Sequence, residues 1–367
     1  MAAPKTPIWD LDPHTRAKHE ILGMYLYSWV PILSQGGFPV FLYIDGFSGP
    51  GRYSKGEDGS PIIAIKAALA HLRRIKSTIL YYFVEYDKER SNNLQSIIKE
   101  MLLPENFRIK IVNDEFEVAF DELMDFYRDK SKPLHPTFAF IDPFGWKGVP
   151  FSIVREILSH RSCEVFVNFM YEEINRFLSH PDQIENFDRF FGTSDWKNCS
   201  DLKKPIERNR CLHDLYYRQL RASAKAKYVR SFEMKNAANN TDYFLFYATN
   251  SKKGIMKMKE AMWRTDSSGE FTFSDATDPN QMIMFANEPN FAELSRQIQK
   301  VFNGQTVTVE EIEEYILTET AFRESHYKRQ VLRPLELSNP PKIQVLSAPE
   351  KRRPGTYSDP NLKIQFL

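Results

Sequence analysis

Five short apolar runs alternate with helical patterns over the first half of the chain, and that alternation constrains the fold more than any other feature. The runs are Val40 to Ile44, Thr78 to Val84, Phe107 to Val112, Thr137 to Ile141 and Cys163 to Phe169. Helical patterns separate them at about Pro61 to Arg74, Lys88 to Leu103, Phe116 to Tyr127 and Phe151 to Leu158, and an amphipathic helix from Pro13 to about Leu33 precedes them all. Strands that are apolar throughout, each followed by a helix, form a parallel sheet covered on both faces. Ligands of such sheets bind at the carboxyl ends of the strands. Asp45, Glu85, Asp114 and Asp142 each stand at or just beyond a strand end. Asp and Asn also favour turns, so the coincidence of four acids weighs more than any one of them.

Beyond the fifth strand, a polar helical stretch from about Asn175 to Lys225 reads as an insertion. Tyr228 to Met234 and Tyr243 to Thr249 then read as a hairpin around the turn-rich Asn236 to Asn240. A parallel sheet that ends in an antiparallel hairpin is the arrangement of class I methyltransferases, and ordinary dinucleotide dehydrogenases lack it. The expected fold class is therefore α/β, a methyltransferase-like Rossmann domain over residues 1–285.

The segment Asp45-Gly46-Phe47-Ser48-Gly49-Pro50-Gly51 carries the most chemistry. Glycines at 49 and 51 let backbone approach a ligand where a Cβ would clash. The absence of GxGxxG weakens a nicotinamide reading. Such a loop can wrap the methionine and ribose of S-adenosylmethionine, with Asp45, Phe47, Gly49 and Gly51 lining it. Glu85 suits the ribose hydroxyls and Asp114 the adenine amine, with Glu115 a competing choice. A tight turn and a helix-start acid are the plainer readings. Asp45 and Glu85 lie about twice as far apart as the roughly 20 residues expected. Arg52 to Ser60 accounts for much of the excess, either as a flap over the ligand or as a surface loop.

Asp142-Pro143-Phe144-Gly145-Trp146 follows the fourth strand, where amine-directed methyltransferases carry Asp/Asn-Pro-Pro-aromatic. Asp142 and the Pro143 carbonyl are the expected acceptors for the amine hydrogens. Phe144 or Trp146 is the expected stacking face for an extruded base. Phe144 departs from that pattern, standing where it has a second proline. DPFG also resembles the matching segment of tRNA N2-guanine dimethyltransferases. Tyr171, Asn175 and Arg176 are expected in the same cleft, and His14, Lys18 and His19 on one helix face as a wall beside it.

After about Asn290 three helical patterns (Phe291 to Phe302, Thr308 through Tyr315, Glu324 to about Leu335) precede two strands, Ile343 to Leu346 and Leu362 to Phe366. The expectation is a winged helix over 290–367, with Thr308 and Glu311 forming a capping box. Its third helix carries Lys328, Arg329 and Arg333, and its wing carries Lys351, Arg352 and Arg353, a face suited to phosphates. A protein-docking winged helix is the alternative. The net charge is only +1, so any nucleic-acid contact must be local.

The chain has 3 cysteines (Cys163, Cys199 and Cys211) far apart in sequence, which imply no disulfide framework and suit a reducing compartment. The opening residues lack a signal-peptide pattern, and no apolar run approaches the roughly 18 residues of a membrane span. A cytoplasmic location is expected, with no membrane partner and no metal.

The segments HTRAKHEIL, IDGFSGPGRY with GSP, VEYDKER, AFIDPFGW, NFMYEEINRF, ATN and KEAMW, in this order, resemble the bacterial three-Cys-motif partner proteins over nearly the whole chain. The resemblance implies a methyltransferase-like fold and a winged-helix C-terminus. It also implies an operon-linked partner resembling radical-SAM enzymes, and a place in nucleic-acid modification or repair, with DNA favoured over RNA. Two functions follow as expectations: S-adenosylmethionine-dependent transfer to a base amine, or a non-catalytic adaptor that brings the partner to nucleic acid.

Overall fold

A computed structural model describes residues 6, 8–266, 271–274, 289–346 and 352–367. The first strands run β1 (Val40–Asp45), β2 (Thr78–Val84), β3 (Phe107–Val112), β4 (Thr137–Ile141) and β5 (Glu164–Phe169). Helix α1 (Pro13–Gln35) precedes them, and α2 (Ser60–Leu69), α3 (Lys88–Glu100), α4 (Phe116–Asp129) and α5 (Phe151–Ser159) join them. The insertion is α6 (Tyr171–Phe177), α7 (Ile184–Phe191), α8 (Trp196–Ser200) and α9 (Pro205–Arg218). The hairpin β6 (Tyr228–Lys235) and β7 (Thr241–Thr249), helix α10 (Lys252–Thr265) and strand β8 (Thr272–Ser274) follow.

The sheet order is β3-β2-β1-β4-β5-β7-β6-β8. Strands β1 to β5 are mutually parallel, and β7 inserts antiparallel between β5 and β6. That order with that one reversed strand defines the class I methyltransferase-like Rossmann fold. Strand β8 pairs parallel with β6 and extends the edge by one strand that the periodicity did not reveal.

Every residue of β4 and β5 is buried. Burying a large apolar side chain stabilises by about 1.5–3 kcal/mol, which is why these runs are mostly apolar on both faces, with Glu164 and Asn168 the buried exceptions in β5. On one face Tyr25 and Trp29 of α1 pack on Phe138 and Phe41, with ring centroids at 5.1 and 5.2 Å. On the other, Phe169 of β5 meets Tyr216 of the insertion at 5.1 Å.

Cys199 and Cys211 form a disulfide between α8 and α9, against the expectation of free thiols. The bend between these helices brings residues 12 apart in sequence to a Cα separation of 5.5 Å, a proximity that spacing alone does not reveal. Cys163 is buried, and burial pushes its thiol up to about 12. Among the described residues no helix is long and apolar enough to cross a membrane.

Chain contacts divide the molecule into two units, Met1–Ala261 with Thr272–Gln281, and Met262–Phe271 with Met282–Leu367. The second contains α11 (Phe291–Phe302), β9 (Thr306–Thr308), α12 (Val309–Glu319), α13 (Arg333–Leu337), β10 (Ile343–Leu346) and β11 (Lys363–Phe366). Thr308 and Glu311 form the expected capping box at the start of α12. The expected third helix is shorter than its pattern: a π-helical turn over Lys328–Leu332 runs into α13. Strand β9 is an addition to the expected elements, and it joins a three-stranded antiparallel sheet in the order β10-β11-β9.

Candidate functional site

The loop after β1 turns at Gly49 (φ +63°) and Gly51 (φ +84°), backbone conformations that disfavour side chains. A Cβ on Gly51 would stand 2.8 Å from Leu94 of α3. The loop is therefore seated against α3, and its glycine there is a packing requirement.

Three of the four strand-end acids meet around this loop. Asp45 is fully buried and accepts from the Phe47 N–H at 3.3 Å and from the Tyr43 hydroxyl at 3.4 Å. Burial pushes its carboxyl up to about 7, against hydrogen bonds from Ser60 and the Phe47 N–H and with a further push from the charge of Asp142. Glu85 accepts from the Gly49 N–H at 2.8 Å through one oxygen and from the Asp87 N–H at 2.8 Å through the other. Asp142 sits across the cavity from the loop. Asp142 is the only one of the four that lines the cavity; Asp45 and Glu85 bond the loop without lining it, and Asp114 accepts from the Glu115 N–H at 2.7 Å away from it.

Asp142 is held on both sides. Lys18 of α1 brings its ammonium to 2.5 Å from Oδ2, and Asn168 at the end of β5 donates to Oδ1 at 2.6 Å. Lys18 is 5% exposed, so its charge requires a partner. His14, four residues earlier on the same helix face, reaches the hairpin instead: Nε2 to the Lys235 carbonyl at 2.6 Å and Nδ1 to Asp242 at 3.2 Å. His19 lines the glycine-loop cavity and leaves Nδ1 without a hydrogen-bond partner. Burial, with the nearby charge of Lys18, holds its pKa to about 3, so the ring is neutral. HTRAKH thus does not form one wall: His19 alone lines the cavity, Lys18 acts through Asp142 and His14 holds the hairpin.

The cavity between the loop, His19, Asp142 and Phe144 measures about 40 Å³. That is room for a water molecule or so, not for an adenosyl group. Trp9, from the segment before α1, closes it. Its carbonyl accepts from the Ser54 N–H at 2.9 Å, and its ring lies 5.6 Å from Tyr53 and 6.0 Å from Phe144. The Arg90 guanidinium of α3 stacks over it at 4.7 Å. The residues carry the right donor and acceptor types for S-adenosylmethionine, but in this arrangement they do not admit it. Arg52 to Ser60, expected as a flap or a surface loop, folds back through a bridge between Arg52 and Asp58 and grips this N-terminal segment.

A second pocket of about 420 Å³ adjoins the first. Phe47 and Phe144 line both, and Pro143, Gly145, Trp146, Lys147, Glu173, Phe177 and Gln183 complete its wall. Phe144 is 43% exposed and presents a ring to it. Trp146, the alternative stacking face, lines the same pocket but is only 6% exposed, with its ring stacked on Phe187 at 4.9 Å. Arg176 ion-pairs with Glu173 and lies 4.9 Å over Phe177. Tyr171 and Asn175 line a different cavity of about 700 Å³ with His213, Lys235 and Phe244, so the single cleft expected for these residues is two. The first turn of α6 points these side chains to the hairpin, which sequence order does not reveal.

In the second unit, Arg352 is paired bidentately with Glu336 at 2.7 Å on both nitrogens, which takes it out of the expected phosphate face. Glu336 also accepts from Gly355 and Tyr357. Burial opposes its ionisation, but these hydrogen bonds outweigh it and hold it to about 2. Lys328 lies 3.6 Å from Glu313. Arg329, Arg333 and Arg353 are exposed, and Lys351 lies outside the described residues.

The sequence-based reading missed Trp9, Arg90 and Asn168. A lone tryptophan in a polar leader was the one available signal for the first, and nothing local marked the others.

No family model matches the chain, and comparison with curated proteins finds no match. Among solved structures it is similar to protein LPL1258 from Legionella pneumophila (13% identity, 63% of this chain and 85% of that one, TM-score 0.37). It is also similar to Trm1 from Pyrococcus horikoshii in complex with S-adenosyl-L-methionine (14% identity, 71% of this chain, TM-score 0.36), of whose length it spans 61%. A third is an O-methyltransferase from Bacillus cereus in complex with SAH (14% identity, 65% and 82%, TM-score 0.36). The fold assignment rests on strand order and register rather than on these likenesses. By that fold, the chain is a methyltransferase-like Rossmann protein.

Proposed function

We propose that the chain binds S-adenosylmethionine at the glycine loop and acts on an exocyclic amine of a nucleic-acid base held in the adjoining pocket. The observation that carries this reading is the shared wall: Phe47 and Phe144 line both cavities, and Asp142 and Pro143 stand at the junction. A base amine is a weak nucleophile because its lone pair is delocalised into the ring. Acceptors that hold its hydrogens redirect the lone pair. Each Asp142 oxygen carries one bond from the protein, to Lys18 or Asn168, and so keeps a lone pair for a ligand. The Pro143 carbonyl is the second acceptor, and the exposed Phe144 ring stacks on the base. The second unit is read as a winged helix, with Arg329, Arg333 and Arg353 meeting phosphates. The partner in this reading is a radical-SAM-like three-Cys-motif protein.

A second reading is favoured by the closed cleft. With about 40 Å³ at the loop and Asp142 ion-paired, the Rossmann unit serves as a docking body, and the chain as an adaptor between that partner and nucleic acid.

Incubation with S-adenosylmethionine labelled in the methyl group, and with bulk DNA or RNA, tests the first reading. Label in nucleic acid, lost in Asp142→Asn while the variant still binds the cofactor, is the expected result. No cofactor binding and no transfer to either polymer, with and without the partner, selects the adaptor.

A further inference from the structure

We infer that the segment from Trp9 to Asp12 is a built-in occupant of the glycine-loop cleft, so that an adenosyl ligand enters only by displacing Trp9. The inference rests on the proposed adenosyl reading of that cleft and adds its regulation.

Trp9 does not merely lie on the surface. The heavy atom nearest to where a Cβ on Gly49 would stand is Trp9 Cη2, at 3.8 Å. Its ring is bracketed by Arg90 at 4.7 Å, Tyr53 at 5.6 Å and Phe144 at 6.0 Å. These groups come from α3, the lengthened loop and the DPFG turn. A flat bicyclic ring under a guanidinium, with two aromatic rings meeting it at 88° and 67°, occupies a setting that also suits a purine. Behind it, His19 is 7% exposed with Nδ1 unpartnered, and it lines the same cavity. A buried polar atom without a partner is costly, and a polar group on a ligand would relieve that cost.

The anchoring of the segment is graded. At its inner end Asp12 caps α1, accepting from Thr15 N–H and Oγ1 at 2.7 and 2.9 Å. At its outer end Asp10 bonds the Ser54 hydroxyl and lies 3.1 Å from the Lys55 ammonium, with side chains 66% and 71% exposed. Exposed pairs of this kind contribute little. The segment is therefore fixed at its hinge, and at its tip it is held by the Trp9 carbonyl and ring with only weak help from Asp10. The extra residues between Asp45 and Glu85 acquire a purpose: Arg52 to Ser60 is the part of the loop that holds the tip.

The test is calorimetry of the full chain with S-adenosylhomocysteine, in the native protein, Trp9→Ala and Lys55→Glu, together with tryptophan emission. Trp9→Ala is expected to bind about tenfold tighter or more, because the fraction of cleft open to ligand rises. Lys55→Glu, which repels Asp10 from outside the cleft, is expected to fall between the two. The emission change on ligand addition is expected to include a Trp9 contribution that disappears in Trp9→Phe. Equal affinities in all three proteins overturn the gating and leave the adenosyl reading standing. Weaker binding by Trp9→Ala overturns it too, since Trp9 would then belong to the ligand site. Absence of binding at millimolar ligand in all three overturns the adenosyl reading and the gating together.

Discussion

The glycine-loop cleft and the pocket beside it share Phe47 and Phe144, yet one measures about 40 Å³ and the other about 420 Å³. The difference lies in what the acids are doing. Beneath the cleft Glu85 takes one backbone N–H on each oxygen, and in its wall Asp142 takes one bond on each oxygen, from Lys18 and Asn168. A buried carboxylate must be satisfied by something, and here the protein supplies it. The open pocket has four aromatic rings in its wall, and its one acid, Glu173, is paired with Arg176. Acids at strand ends thus mark where a ligand could be held, and their existing bonds set what that ligand must displace.

The largest expected effect tests the clamp. Asp142→Ala strands the buried Lys18 ammonium, and loss of about 3–5 kcal/mol in urea unfolding is expected. A double variant with Lys18→Met recovers most of it. An additive double variant would mean that the pair does not interact as drawn.

The next effect concerns pH. Asp45 has a folded value of about 7 against an ordinary 3.8. A carboxyl raised on folding contributes stability that is fully present below about 3.8 and is lost as pH rises through 7. Asp45→Asn is therefore expected to stabilise the fold at pH 8 relative to the native protein and to lose that advantage near pH 3. An unchanged pH profile of unfolding would remove Asp45 from the account.

The smallest effect separates the two glycines. Gly51→Ala meets both an unfavourable φ and Leu94 at 2.8 Å, whereas Gly49→Ala meets the φ penalty with its nearest neighbour at 3.8 Å. Roughly 1–3 kcal/mol is expected for the first and about 1 kcal/mol for the second, read from thermal melts. The reverse order would mean that the loop is not seated on α3 as described.

Much of the fold was legible because strands and caps are local. The runs at 78–84, 107–112 and 137–141 coincide with β2, β3 and β4, and Thr308 with Glu311 closes its capping box within one turn. The candidate site was legible only as a set of positions. Phe47, Gly49, Gly51 and Asp142 line one cavity with Asp45 bonded beneath the loop, Trp146 lines the adjoining pocket, and Asp114 and Tyr171 serve elsewhere.

Alternating apolar periodicity and turn residues determined the strands, their order of appearance and the closing hairpin, because those depend on neighbours a few residues away. Tertiary structure alone decided that Lys18 neutralises Asp142, that Trp9 covers Gly49, that Cys199 meets Cys211 and that Arg352 belongs to Glu336. Buried charges and rings select partners by distance in space, and the separation of those partners along the chain carries no trace of it.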